Sequence, residues 1–132
     1  MCGIVGIYLK TKKFEDNLGK MLSGMLNNME SRGPDSAGFA IYKNSDRKEY
    51  KYSLCINNLD FSKFKKKISQ KIKNLKLNQY SDHVIVKTTE IPKKFIKFIN
   101  NEFPEISIVG YVHTIEIFKQ VGNPKDVVKK FN

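Results

Sequence analysis

The sequence predicts a single domain that mixes helices and strands, an α/β chain whose short β pieces come first and whose helices pack outside them. Three observations predict it. Residues 3–9 (GIVGIYL) form an apolar, β-rich run at the amino terminus. Tyr50, Tyr52, Leu54 and Ile56 alternate with more polar neighbours, the period of a half-buried strand. Two stretches, 15–30 and 61–75, repeat apolar residues at helical spacing.

Taken in order, residues 3–9 read as a buried strand bounded by Lys10-Thr11-Lys12-Lys13. Over 15–30, Leu18, Met21, Leu22, Met25 and Met29 share one helix face beside Leu26, a methionine-rich seam expected to be core. Ser31-Arg32-Gly33-Pro34-Asp35-Ser36 breaks that helix. Residues 37–43 resume as a strand, 44–46 turn, and the 50–56 strand follows with hairpin-like spacing. Cys55 falls on the opposite face of that strand and reads as a small apolar filler. Phe61, Phe64, Ile68, Ile72 and Leu75 mark a lysine-coated surface helix. Residues 84–87 read as a strand, 92–103 as a helix opened by Pro92, and 106–112 as a further strand. Asn123-Pro124 then starts a last helix running to Asn132, an N-cap followed by proline in the first turn.

Composition removes several functional classes. No apolar run approaches the roughly 18 residues of a membrane-spanning helix, and the amino terminus lacks a signal-peptide pattern. The expectation is a cytoplasmic protein with no membrane partner. Two cysteines, Cys2 and Cys55, make no disulfide framework. With His83 and His113 as the histidines, no run has zinc-ligand spacing, so no metal and no cofactor is expected. A Gly-rich phosphate loop is likewise missing. The net charge of +11 is concentrated in residues 61–132. Lysine supplies 22 of the 24 positive charges, and arginine-poor chemistry is wrong for bidentate phosphate or guanine contacts. The charge reads as solvated surface rather than a nucleic-acid site.

The chemistry lies at the amino terminus. Removal of Met1, favoured by the small side chain that follows, gives Cys2 a free α-amine with a pKa of about 7.7–8.0. That amine can take the thiol proton, directly or through a water, so one residue supplies nucleophile and base. Gly3 and Gly6 would let backbone approach closely beside the nucleophile.

MCGIVGIY at 1–8 and SRGPDSAGFAIY at 31–42 together resemble the class II, N-terminal-nucleophile glutamine amidotransferases. That family includes the glutaminase domains of glutamate synthase, asparagine synthetase, glucosamine-phosphate synthase and the purine-pathway amidotransferase. The resemblance implies an α+β fold, the four-layer αββα sandwich of the N-terminal-nucleophile hydrolases, here incomplete. It implies Cys2 as nucleophile on the side-chain amide of glutamine, with ammonia leaving and water hydrolysing the thioester to glutamate. Gly3, Arg32, Gly33, Asp35, Ser36 and Gly38 carry over as residues that shape the pocket. Arg32 has a plain surface role as its alternative. Asp35 either orients Arg32 or caps the local backbone.

Residues 110–131 (GYVHTIEIFKQVGNPKDVVKKF) resemble an insert in stand-alone amidotransferase subunits of the glutamate-synthase type. Such subunits work beside a flavin- and iron–sulfur-containing synthase, as in N-methylglutamate synthase, and the likeness implies a synthase partner that accepts ammonia. The insert itself carries no recognisable chemistry.

The family pattern also requires a His-Thr-Arg segment for the substrate carboxylate, an Asn-Gly pair for the oxyanion and a later aspartate for the substrate amine. The sequence contains no Asn-Gly, and His113-Thr114-Ile115 puts isoleucine where arginine is needed. Residues 1–132 are therefore expected to be the amino-terminal, truncated part of the domain. Loss of one oxyanion donor costs about 10²–10³ in rate, so this chain alone is expected to be inactive. The alternative is a catalytically dead amidotransferase-like module that regulates or scaffolds a synthase.

Overall fold

The computed structural model describes residues 3–33, 35–43 and 47–131. Cys2 and the turn expected at 44–46 lie outside these residues. The chain divides into two compact units, residues 39–118 and residues 1–38 with 119–132.

The 39–118 unit is built on a four-stranded antiparallel sheet in the order β3-β4-β2-β5, where β2 is Tyr50–Cys55, β3 Lys76–Tyr80, β4 His83–Thr88 and β5 Ser107–Val112. Strand β2 is central. It pairs Tyr52 with Val86 on one side and with Tyr111 on the other. Helices α2 (Phe61–Lys71) and α3 (Pro92–Glu102) cover one face. There Tyr52, Leu54, Val84 and Val86 meet Phe64, Ile68, Phe95 and Ile99, all fully buried. Tyr52 stacks on Phe95 with ring centroids 3.8 Å apart, and its hydroxyl donates to the Glu90 carbonyl at 2.7 Å. Burial of that ring and hydroxyl pushes the Tyr52 pKa upward.

Local chemistry sets the helix boundaries. Asp60 caps α2 by accepting from the backbone N–H of Ser62 and Lys63 at 2.8 and 3.3 Å. After α2, Asn74 turns the chain with a positive φ of 51°. Pro92 occupies the first turn of α3, where a missing N–H costs nothing.

The other sheet face is covered by the 39–42 part of β1 (Ser36–Tyr42) and the 115–118 part of β6 (Ile115–Val121). Strands β1 and β6 pair as a two-stranded sheet, and the boundary between the two units falls within both strands. Phe39 stacks on Phe118 at 4.8 Å, and Phe118 meets the rings of Tyr80 and His83. The Ile117 N–H donates to the Ser53 hydroxyl at 2.8 Å. At Gly110 a Cβ would lie 2.7 Å from Ile117 Cδ1, so the glycine permits this close approach.

In the other unit, α1 (Leu18–Asn27) follows a 3-10 segment, Lys12–Asn17, and lies against α4 (Pro124–Phe131). The Asn123 side chain accepts from the Asp126 N–H at 3.1 Å and caps α4 as expected.

Four expectations need correction. Residues 3–9 form no strand, and Ile4 and Tyr8 are 96% and 88% exposed. A strand is defined by a hydrogen-bonded neighbour, and none of the described strands pairs with this run. The methionine-faced helix is shorter than 15–30 and no residue in it is buried. Gly19 and Gly24 weaken it and the Asn27-Asn28 pair favours a turn. The hairpin-like spacing of 37–43 and 50–56 makes no hairpin, because β1 and β2 enter different sheets. Strands β3 and β6 are not apparent in the sequence: Leu75 extends the helical period of α2 up to the start of β3, and a buried Glu116 interrupts the apolar pattern of β6.

Among the described residues, no helix is long and apolar enough to cross a membrane.

Candidate functional site

Two chain segments far apart in sequence meet beside the amino terminus. Arg32 ends a short 3-10 segment, Glu30–Arg32, that continues the chain after α1. Its backbone N–H donates to the Met29 carbonyl at 2.9 Å, and the Met29 N–H donates to Leu26 at 3.0 Å. These bonds fix where the stem of Arg32 leaves the backbone. Gly3 packs against that stem: a Cβ at Gly3 would lie 2.8 Å from Met29 Sδ and 3.1 Å from Arg32 Cβ. The residue next to Cys2 therefore touches Arg32 of the second motif, through an approach that only a glycine makes without displacement.

The rest of the second motif runs from this turn into β1. Gly33 is half-buried and has ordinary spacing to the Ser36 carbonyl. Asp35 is exposed, and its carbonyl accepts from the Gly122 N–H at 2.9 Å, which ties the motif to the end of β6. Ser36 opens β1, and Gly38 follows within it; both are exposed. Lys125 of α4 pairs with Glu30 at 2.6 Å, and that contact raises the lysine pKa. Gly6 does not play its expected part, because nothing lies within 4 Å of where its Cβ would be. Gly3, Arg32 and Met29 thus come together, while Asp35, Ser36 and Gly38 lead away along β1.

The supposed insert holds chemistry that the sequence did not disclose. Glu116 is 1% exposed and sits among Lys43, Lys51 and Lys87, at 3.2, 3.6 and 3.3 Å. Burial alone would raise its pKa, but the hydrogen bond and charge of Lys43, with the charge of Lys87, hold it below the ordinary value. Lys51 is 3% exposed, and burial lowers its pKa despite Glu116. At least one lysine is thus interior rather than solvated surface.

Cys55 also departs from its expected role. Its Sγ lies 3.3 Å from Asn57 Oδ1 and 4.0 Å from Asp82 Oδ2, beside the buried His83. It lines a polar corner of the sheet rather than an apolar core.

The full chain aligns with the glutamine amidotransferase-like protein GlxB of Rhizobium meliloti (strain 1021), at 34% identity across 45% of that protein. That relative is named for its likeness to glutamine amidotransferases. The full chain also aligns, at 24% identity, with 47% of a Methanothermobacter thermautotrophicus protein whose name proposes a glutamine amidotransferase. The chain spans about half the length of the curated relatives it matches. No family model matches it, and no solved structure matches it.

Proposed function

We propose that this chain is the amino-terminal portion of a class II glutamine amidotransferase domain, with Cys2 as the nucleophile of glutamine hydrolysis. The observation that carries the proposal is the packing of Gly3 on Arg32 and Met29. It places the residue after the cysteine against the second motif of the same family pattern, and the names of both relatives point the same way. The αββα reading is supported by the 39–118 unit, where helices cover one face of a sheet and strand segments cover the other.

In this mechanism, loss of Met1 frees the α-amine of Cys2. The neutral amine accepts the thiol proton, and the thiolate sulfur attacks the side-chain amide carbon of glutamine. The proton passes to the departing nitrogen, the C–N bond breaks and ammonia leaves. Water then adds to the thioester carbonyl, the C–S bond breaks, and glutamate and the free thiol are released. Gly3, the residue after the nucleophile, packs against the Arg32 stem. The Asn-Gly pair and the His-Thr-Arg segment of the family pattern are not among residues 1–132. A synthase partner receives the ammonia.

Intact-mass measurement combined with a thiol-reactive glutamine analogue tests the proposal. The expected result is loss of Met1 and one label on Cys2, slowed by excess glutamine and absent in Cys2→Ala. Retained Met1, or a label on Cys55 alone, overturns it.

A further inference from the structure

We propose that Cys55, Asp82 and His83 form a site for a thiophilic divalent cation of the zinc type. The proposal does not depend on the amidotransferase reading. It rests on three side chains of different metal-ligand chemistry that the sheet brings to one corner. Cys55 ends β2 and His83 opens β4, and the two stand directly opposite each other in the register. Asp82 precedes His83 in the turn between β3 and β4. The Asp82 carbonyl accepts from the Ile56 N–H at 2.7 Å, which holds this turn against the end of β2.

One ligand atom from each residue lies within 4.8 Å of the other two. His83 Nδ1 is 2.8 Å from Asp82 Oδ1, and Cys55 Sγ is 4.0 Å from Asp82 Oδ2. Zinc bonds of about 2.0–2.3 Å in a tetrahedron place neighbouring donors about 3.3–3.8 Å apart. The observed spacings bracket that range, so small rotations of the thiol and carboxylate close the shell. Ligands borne on two paired strands are also held more rigidly than ligands on loops.

Donor chemistry selects the cation. A thiolate and an imidazole favour zinc over magnesium or calcium, which take oxygen shells. Charge favours it as well. One thiolate and one carboxylate neutralise a doubly charged ion beside a neutral imidazole, which suits a corner where His83 is fully buried and the Asp82 side chain is 18% exposed. Binding releases the thiol proton and any proton shared between Asp82 and His83. Exposed Asn57, whose positive φ of 45° turns the chain beside the sulfur, adjoins this corner.

The test is titration of the full chain with cobalt(II), whose thiolate charge-transfer absorption reports a Co–S bond, followed by displacement with zinc. Cys2 with a free amine could itself hold a metal, so the titration is run on the natural chain and on Cys2→Ser. The expected result is one equivalent bound in both, with the absorption lost when Cys55→Ser is added to Cys2→Ser. Asp82→Asn is expected to weaken binding by more than about tenfold, since even outer partners of metal ligands are worth 10–100-fold. Both Cys55 and Asp82 retain solvent exposure, so these variants are expected to fold, which circular dichroism checks. Loss of the absorption in Cys2→Ser alone, or its full retention in Cys55→Ser, overturns the proposal.

Discussion

Lys51 and Glu116 stand 3.6 Å apart with almost no solvent exposure, yet the two are not equivalent partners. Glu116 also has Lys43 and Lys87, whereas Lys51 has Glu116 as the carboxylate at its ammonium. Removing Glu116 leaves a buried cation beside two others. Glu116→Ala is therefore expected to cost about 3–5 kcal/mol, the range for breaking a buried pair from one side. Lys51→Met, which keeps the volume and removes an ammonium that burial already disfavours, is expected to cost much less. Urea unfolding of the two variants measures the difference. Equal losses would mean that Lys51 is held by more than this carboxylate.

The same carboxylate sets an acid limit. Its folded pKa lies below the ordinary 4.5, so the folded state binds fewer protons than the unfolded chain across the interval between them. The stabilisation is fully present above 4.5 and is lost as pH falls through the folded value. Lys51 acts with the same sign at the alkaline end. Its folded pKa is lowered from 10.5, so the penalty of burying its charge is relieved as pH rises through the folded value toward 10.5. Stability is expected to fall on acidification below about pH 4.5, and Glu116→Gln is expected to flatten that fall. Chemical denaturation at a series of pH values reads both effects.

The elements legible in the sequence were those whose local pattern and tertiary role agree. Phe64 and Ile68 in α2, and Phe95 and Ile99 in α3, recur at helical spacing and are fully buried. Tyr52 and Leu54 alternate and face that same core. What was not legible depends on long-range pairing. Residues 3–9 are as apolar as β2, but backbone pairing decides a strand and this run has no described strand beside it. Glu116 reads as a solvent-facing residue until Lys43, Lys51 and Lys87 are brought around it from other strands. The candidate site divides similarly. Its motifs were visible as text, but the contact between Gly3 and Arg32 joins residues from opposite ends of α1 and appears only in three dimensions. Cys55 and His83 carry no linear spacing signal because the register of β2 on β4 unites them.

The two helices over the sheet start differently, and this gives a paired prediction. Asp60 satisfies two backbone N–H groups at the start of α2, whereas Ile91 before α3 provides no side-chain acceptor and is half exposed. Asp60→Ala is expected to destabilise by about 0.5–2 kcal/mol. Ile91→Asp is expected to stabilise by about 0.5–1 kcal/mol, through capping and through a negative charge at a helix amino terminus. Thermal unfolding at neutral pH decides both signs.

Gly3 offers the sharpest test of how the amino terminus is positioned. The two atoms that a Cβ would meet differ in freedom. Met29 Sδ, at 2.8 Å, is near the end of a flexible side chain and can swing away. Arg32 Cβ, at 3.1 Å, is bonded to backbone that its own N–H anchors to Met29, so it cannot. Gly3→Val is therefore expected to cost about 1–3 kcal/mol by overpacking and to slow glutamine-analogue labelling of Cys2. Adding Met29→Ala is expected to recover part of the stability, because it removes the nearer clash. It is not expected to restore the labelling rate, because the Arg32 stem still pushes the backbone beside Cys2 outward. Labelling of Gly3→Val at the natural rate would mean that this packing does not position the nucleophile.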